Sequence, residues 1–484
     1  MIGAKTILTN TLFLMVASVF NIGVSIVTTA LIARAIGPEL YGRYTFGLTY
    51  VLIFSVFSNF GIESLFIREA SRDRAKLALI HDIFPLKISL SVMTVGLAVL
   101  SIYLLDYPGP TIEVVQILCV GLFFQILYES LVSVSKALEE MYVVALLSVF
   151  FRVVSATAVI GSIIGGIGFV GIVSAFAIGN ASAFLLALWL HARRWGFSEV
   201  GFRVPAWFSL IRQGYPFFLS ALVTMLYGKI NVLMLSKMVP EADLGYFMAA
   251  ANLVENLFFI PVAFNTTIFP AFSRMHGTSP EALRQSYSKI VRYLVIVTLG
   301  VAAGTMLVGG DVIRLLYGEQ FGSAAPLLSI LILYWALAFF SNVLSSLLFS
   351  IHQEHAQVRI MVVAAGLSIV LNALFIMHSG VFGAAFAAVV TEVAVVVLMG
   401  AVLWKVDFPW PVSANSLKLA LNVIAMVIIV RMLLPVNLAL AIMVGAGTYL
   451  LLLFPIGLVD EDDKTLVYSW IQKRFARIRL YGVS

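Results

Sequence analysis

Four ionisable residues stand where ionisation is costly. Arg152, Lys229, Glu255 and Glu392 lie inside long apolar runs of a 484-residue chain that is 61% hydrophobic and only 11% charged. Arg152 comes ten residues after Tyr142. At ~1.5 Å per helical residue that is roughly 15 Å, close to the middle of a ~30 Å hydrocarbon core. Lys229 precedes Lys237 by eight residues, Glu255 follows Asp243 by twelve, and Glu392 follows Gly383 by nine. An ion at such depth faces a wet cavity or a partner. The two cations could grip a phosphate-type anion through charge-assisted hydrogen bonds, and the two carboxylates could take up H+ or Na+. Internal pairing is the competing reading, Lys229 with Glu255 and Arg152 with Glu129.

Amides and hydroxyls form a second layer. Asn21, Ser25, Thr28 and Thr29 recur at helical spacing, as do Ser55, Asn59 and Glu63, and again Asn252, Glu255 and Asn256. Such faces could line a polar cavity, or could join one membrane helix to another. Arg34 falls at the outer end of its span, as a cation for the cavity mouth or one that snorkels to the interface. Glu63, Arg68 and Glu69 fall near the inner face, where solvated headgroup contacts account for them. Nothing here points to catalysis. The chain has a single cysteine, Cys119, which excludes a disulfide framework and a Cys-based metal site. No Walker A pattern is present, so ATP does not drive the chain directly. No catalytic residue, metal site or cofactor is expected.

The elements that must hold these residues are membrane helices. No Asp, Glu, Lys or Arg occurs between Lys5 and Arg34, Arg43 and Glu63, Arg292 and Asp311, or Arg431 and Asp460. Each gap has room for a span of about 20 residues. The pattern predicts fourteen helices, centred near residues 20, 54, 96, 123, 152, 180, 225, 258, 299, 338, 368, 392, 426 and 447. Gly-Pro, Pro-Gly and Gly-Gly pairs mark turns near 37, 108, 165 and 309. Of the 30 Lys and Arg, 23 fall in loops on the side of the N-terminus and five in the opposite loops. Basic loops stay cytoplasmic, so both termini are expected inside, in a cell membrane. The net charge of +6 follows from that bias and calls for anionic lipid rather than nucleic acid. Residues 460–484 read as a capped cytoplasmic helix, and "SPEALRQSYSKIVRY" reads as another, with Ser279 as N-cap and Pro280 at the first helical position.

The chain also repeats itself. "LIARAIGPELYGRYTFGL" from Leu31 is echoed by "LMLSKMVPEADLGYFMAA" from Leu233, with Pro38 and Pro240 202 positions apart and Gly42 and Gly245 203 apart. "GFVG" at 168 and "GVFG" at 380 form a second pair. Both pairs lie six spans apart. Six is even, so the copies share one orientation and are related by a pseudo-two-fold along the membrane normal. The expected architecture is an all-α polytopic membrane protein, with a six-helix bundle at 1–195, a second at 196–405, two further spans at 406–459 and a tail at 460–484.

With "ARAIGPELYGRY", "FGIESLFIREASR", "RQGYPFFLSALVTMLYGKINVLML" and "DLGYFMAA" in a 6+6+2 pattern, the chain resembles the polysaccharide-transporter, Wzx-like flippases of the MOP superfamily. It is similar also to MurJ and, more distantly, to MATE antiporters. The resemblance covers nearly the whole chain and implies alternating-access transfer of a polyprenyl-diphosphate-linked oligosaccharide from inner to outer leaflet. Membrane lipids and glycan-assembly proteins are the implied partners, with H+ or Na+ as the coupling ion. On that reading Arg152, Lys229, Arg34, Asn21, Asn59, Asn231 and Asn252 bind substrate, and Glu255 and Glu392 bind the ion. Asn231 is a departure, because many relatives carry an acid in this span-seven pattern. The alternative is a MATE-type antiporter of small organic molecules, which requires both cavity cations to be neutralised.

Overall fold

The computed structural model describes residues 4–195, 204–408 and 416–459. Fourteen α-helices account for nearly all of them, with no strand among the described residues. In chain order they are α1 (Ala4–Asn59), α2 (Ile62–Arg72), α3 (Ile80–Leu104), α4 (Gly109–Ala137), α5 (Met141–Ile164), α6 (Phe169–Trp195) and α7 (Val204–Met238). Then come α8 (Glu241–Leu257), α9 (Phe259–Thr278), α10 (Pro280–Tyr317), α11 (Ala324–Ser350), α12 (Glu354–Lys405), α13 (Ser416–Leu433) and α14 (Leu438–Leu452).

Ten stretches of the described chain are long and apolar enough to cross a membrane, α8 and α9 together forming one of them. Two of the ten are bent pairs. Inside α1 the backbone at Gly37 turns to φ 75°, and inside α12 at Gly380 to φ 55°, conformations that a side chain would oppose. Pro38 then starts the second half of α1 with its φ already set. Counting each bent helix as two and adding α13 and α14 returns the fourteen spans read from the sequence. Many large apolar side chains face outward, such as Leu104, Ile164 and Met377; hydrocarbon is the medium that accepts them without cost.

The chain forms two compact units. The first holds Met1–Asn256, Arg314–Leu327 and Val362–Thr391. Within it α4 packs on α3, α5 and α6, and α1 packs on α3, α4, α5 and α7. The second holds Leu257–Ile313, Leu328–Met361 and Glu392–Ser484. Its core joins α10 to α13 and α14 around Ile296, Met426, Val430 and Tyr449. There the Tyr449 hydroxyl donates to the Ile296 carbonyl at 2.7 Å, and Asn422 donates to the Tyr449 carbonyl at 3.1 Å.

Ser279 caps α10 as expected, accepting from the Ala282 amide at 3.3 Å. The helix that it starts is not a separate surface piece but runs unbroken to Tyr317. The expected tail at 460–484 and the expected bundle boundary at 195/196, beside 196–203, lie outside the described residues.

Candidate functional site

The two echoed motifs meet each other in the first unit. A Cβ added to Gly42 would fall on the Glu241 carbonyl oxygen and lie 2.8 Å from the Gly245 amide nitrogen. One added to Gly245 would fall on the Pro38 carbonyl oxygen, 3.2 Å from the Gly42 nitrogen. Each glycine therefore lets its helix start close against the other, and the contact is nearly reciprocal. Arg43 secures it with a forked ion pair to Glu241 at 2.6 to 3.1 Å, and Thr111 donates to the same carboxylate at 3.0 Å. The repeat in the sequence is thus a contact surface used twice.

Beyond this contact α1 presents Tyr41, Tyr44, Thr45 and Thr49 at helical spacing to a cavity of about 540 Å³. Ser25, Thr28 and Thr29 from the first half of α1 face the same space. Gln125 and Glu129 of α4, Arg152 and Ser155 of α5 and Asn180 of α6 supply another part of the wall. Lys229 of α7 and Asn252 and Glu255 of α8 complete it. All of these residues belong to the first unit.

The two cavity cations are in different states. Lys229 donates to Glu255 at 2.6 Å, the pairing that the sequence offered as the competing reading. Arg152 forms no ion pair among the described residues, and the bond to Glu129 that the competing reading offered is not made. Its Nη1 reaches only Ser25 Oγ at 3.5 Å, its carbon centre stands 5.8 Å from the Phe151 ring, and its Nε is buried without a hydrogen-bond partner. Gln125 Oε1 and Ser155 Oγ, on the same wall, are also buried and unpartnered. Buried polar atoms are nearly always satisfied, so these three groups on one wall can each take a polar contact from the cavity. Glu129 accepts instead from Gln125 Nε2 at 2.9 Å.

Of the remaining expected site residues only Asn252 lines the cavity; Arg34, Asn21, Asn59, Asn231 and Glu392 do not. Arg34 donates to the carbonyls of Leu316 at 2.9 Å and Leu315 at 2.5 Å, closing the last turn of α10, where helix carbonyls lack internal partners. Asn21 donates to Ser148 at 3.2 Å, Asn59 accepts from the Glu63 amide at 3.4 Å, and Asn231 is half-buried on α7. Glu392, 3% exposed, belongs to the second unit and accepts from the Ser341 hydroxyl. Asn252, on the wall, donates to the buried Tyr41 hydroxyl at 2.8 Å.

Glu63 requires a correction. It does not face headgroups but holds Lys87 at 2.6 Å, and Lys87, one of the 23 cations assigned above to loops on the N-terminal side, is fully buried within α3. A buried ammonium keeps its charge only with such a partner. Tyr41, Tyr44, Gln125 and Asn180 were missed as lining residues. The recurrence of Tyr41, Tyr44, Thr45 and Thr49 on one helical face was the available signal, hidden by reading the Gly-Pro region as a loop.

The geometry defines a polytopic helical membrane protein with a cation-bearing polar cavity among its spans. Its fold is shared by the lipid II flippase MurJ in an inward closed conformation, at a TM-score of 0.72 and 16% identity over 91% of this chain and 98% of that one. An inward-facing multidrug resistance MATE family transporter of the MOP superfamily follows at a TM-score of 0.63 and 15% identity, over 79% of this chain and 95% of that one. Residues 7–276 match the family described as "Polysaccharide biosynthesis protein", and the chain belongs to that family. Two relatives point the same way. A putative O-antigen transporter of Shigella dysenteriae is 23% identical over 223 residues, 46% of this chain and 56% of that protein. The lipopolysaccharide biosynthesis protein WzxC of Escherichia coli (strain K12) is 22% identical over 349 residues, 69% of this chain and 68% of that protein. The matched region thus spans little more than half of the Shigella protein.

Proposed function

We propose that this protein is a flippase that carries a polyprenyl-diphosphate-linked oligosaccharide from the inner to the outer leaflet of a cell membrane by alternating access of its two six-span repeats. The observation that carries the proposal is Arg152, an arginine in a polar cavity between apolar helices with no ion-paired carboxylate among the described residues. Burying an unpaired ion costs at least several kcal/mol, and an anionic ligand offsets that cost. A diphosphate fits the guanidinium fork, while hydroxyls and amides on the same wall suit a saccharide. The isoprenoid tail can remain in the bilayer. Family membership and the names of the O-antigen and lipopolysaccharide relatives support a glycan-bearing substrate.

On this reading the protein transports and does not catalyse, both termini are cytoplasmic, and the membrane is the inner or plasma membrane. Arg34, Asn21, Asn59 and Asn231 then act outside the cavity wall, as scaffold or at another stage of the cycle. The antiporter reading needs both cavity cations neutralised. Glu255 pairs with Lys229, but among the described residues no carboxylate pairs with Arg152. The test is transfer of a fluorescent short-chain polyprenyl-diphosphate saccharide in proteoliposomes. Wild-type protein should move it between leaflets faster than empty vesicles do. Equal rates would reject the flippase reading, and uptake of organic cations in the same vesicles would favour the antiporter.

A further inference from the structure

The second half of α1, residues 38–59, carries six aromatic side chains. Tyr41, Phe46, Tyr50, Phe54 and Phe57 each pack against another ring. Tyr44 meets no ring among the described residues. The hydroxyls divide in the same way. Tyr41 accepts from Asn252 at 2.8 Å, and Tyr50 shares a hydrogen bond with Ser101 at 2.6 Å. Tyr44 is half-buried and lines the cavity. Its hydroxyl has no hydrogen-bond partner among the described residues, where a tyrosine inside a protein ordinarily finds one. Neither ring packing nor hydrogen bonding among the described residues accounts for a tyrosine at this place.

Arg152 lines the same cavity. It and Tyr44 lie within electrostatic reach of each other, yet no hydrogen bond joins them, and the guanidinium reaches only Ser25, at 3.5 Å. A phenol keeps its proton at neutral pH and offers an O–H donor, and a guanidinium offers a fork of N–H donors. Two donors that face one space and do not satisfy each other suit an acceptor placed between them. From this arrangement we infer that Tyr44 is a second ligand for the anion: its hydroxyl donates to one phosphoryl group while Arg152 holds the other, and the two together select a diphosphate over a monophosphate. The inference rests on the anion-binding reading given above and adds the residue that discriminates among anions.

The selection follows from the number of acceptors. A monophosphate held in the guanidinium fork has no second phosphoryl group to offer the phenol, whereas a diphosphate does. A hydrogen bond to an anionic oxygen is roughly twice as strong as one between neutral groups, so the gain belongs to the longer anion. A sugar hydroxyl is the other partner that the phenol could take. The charged group within its reach is Arg152, not Lys229 or Glu255, and this sets the phenol at the anionic end of the substrate.

The experiment is binding of farnesyl diphosphate and of farnesyl monophosphate to the full-length protein in detergent, measured by calorimetry at one pH. Wild type should prefer the diphosphate. Tyr44→Phe, which deletes the hydroxyl and keeps the ring, should weaken the diphosphate roughly tenfold and leave the monophosphate unchanged. Its thermal stability should equal that of wild type, because the deleted hydroxyl bonds to no described residue. Tyr50→Phe should do the reverse, losing stability with its bond to Ser101 and keeping the wild-type ratio of affinities. A wild type without the preference, a Tyr44→Phe that keeps it or does not fold, or a Tyr50→Phe that loses it equally would overturn the inference alone. So would a Tyr44→Phe that binds farnesyl diphosphate normally but loses affinity for a polyprenyl-diphosphate saccharide, since the hydroxyl would then belong to the sugar. A wild type that binds neither farnesyl lipid would overturn the anion reading, and this inference with it.

Discussion

Replacing Gly42 by alanine adds one methyl group at the point where the two echoed motifs touch. The new carbon would fall on the Glu241 carbonyl oxygen, 2.8 Å from the Gly245 nitrogen and 3.0 Å from the Glu241 carbonyl carbon. All three are backbone atoms of the facing helix, so no side chain can rotate away and α8 must retreat from α1. Overpacking a close contact costs about 1–3 kcal/mol. Gly245→Ala should cost a similar amount, because its methyl meets the Pro38 carbonyl. The control is Gly96→Ala in α3, where nothing lies within 4 Å. There alanine should gain up to about 1 kcal/mol from helix propensity. The double variant Gly42→Ala/Gly245→Ala should cost less than the sum of the singles, since one retreat relieves both clashes. Thermal unfolding of purified protein in one detergent, compared as a rank order, is the assay. Equal stability of Gly42→Ala and Gly96→Ala, or strict additivity of the pair, would refute the reciprocal contact.

Other predictions follow the same geometry. Glu241→Ala removes the acceptor for Arg43 and Thr111; it should cost about 1–3 kcal/mol, and Arg43→Ala in the same background should add little, as a double-mutant cycle in thermal stability would show. Lys229→Gln and Glu255→Gln should each destabilise and the double variant should recover part of the loss, whereas losses that simply add would disprove the 2.6 Å pair. Lys87→Met should be tolerated only together with Glu63→Gln, measured as the yield of folded membrane-inserted protein. Reporters placed near Asp73 and near Asp106 should label opposite sides of the membrane, and labelling on one side would break the span count.

Much of the fold was legible because its signals are local. Charge-free gaps located the spans, and the glycine signals near 37, 108 and 165 fall at helix bends or ends, whereas the Gly-Gly pair at 309 lies inside the unbroken α10. Gly37 of the first echo and Gly380 of the second are where helices bend at positive φ. Lys229 and Glu255 could be paired in advance because they sit 26 residues apart on consecutive spans. The site was harder to read, since side-chain partners come from distant segments. Arg34 is satisfied by carbonyls more than 280 residues away, and no spacing rule announces that. Glu63 looked like an interfacial acid because the depth of Lys87 depends on where α3 begins, and its start near Ile80 lies between the basic loop and Pro85. Arg152 and Glu129 were close enough in sequence to suggest a pair. Whether a buried arginine finds its carboxylate is decided by helix rotation, which periodicity leaves open.

The central claim is that Arg152 holds the anionic part of the substrate. Transfer of a fluorescent polyprenyl-diphosphate saccharide between leaflets, measured in proteoliposomes for wild type, Arg152→Lys and Arg152→Gln at equal folded-protein content, tests it most directly. A hydrogen bond to a charged group contributes about 1.5–3 kcal/mol, so Arg152→Gln should slow transfer by roughly ten- to a hundredfold. Arg152→Lys should fall between the two, keeping the charge but losing the fork. Transfer by Arg152→Gln at the wild-type rate would contradict the account.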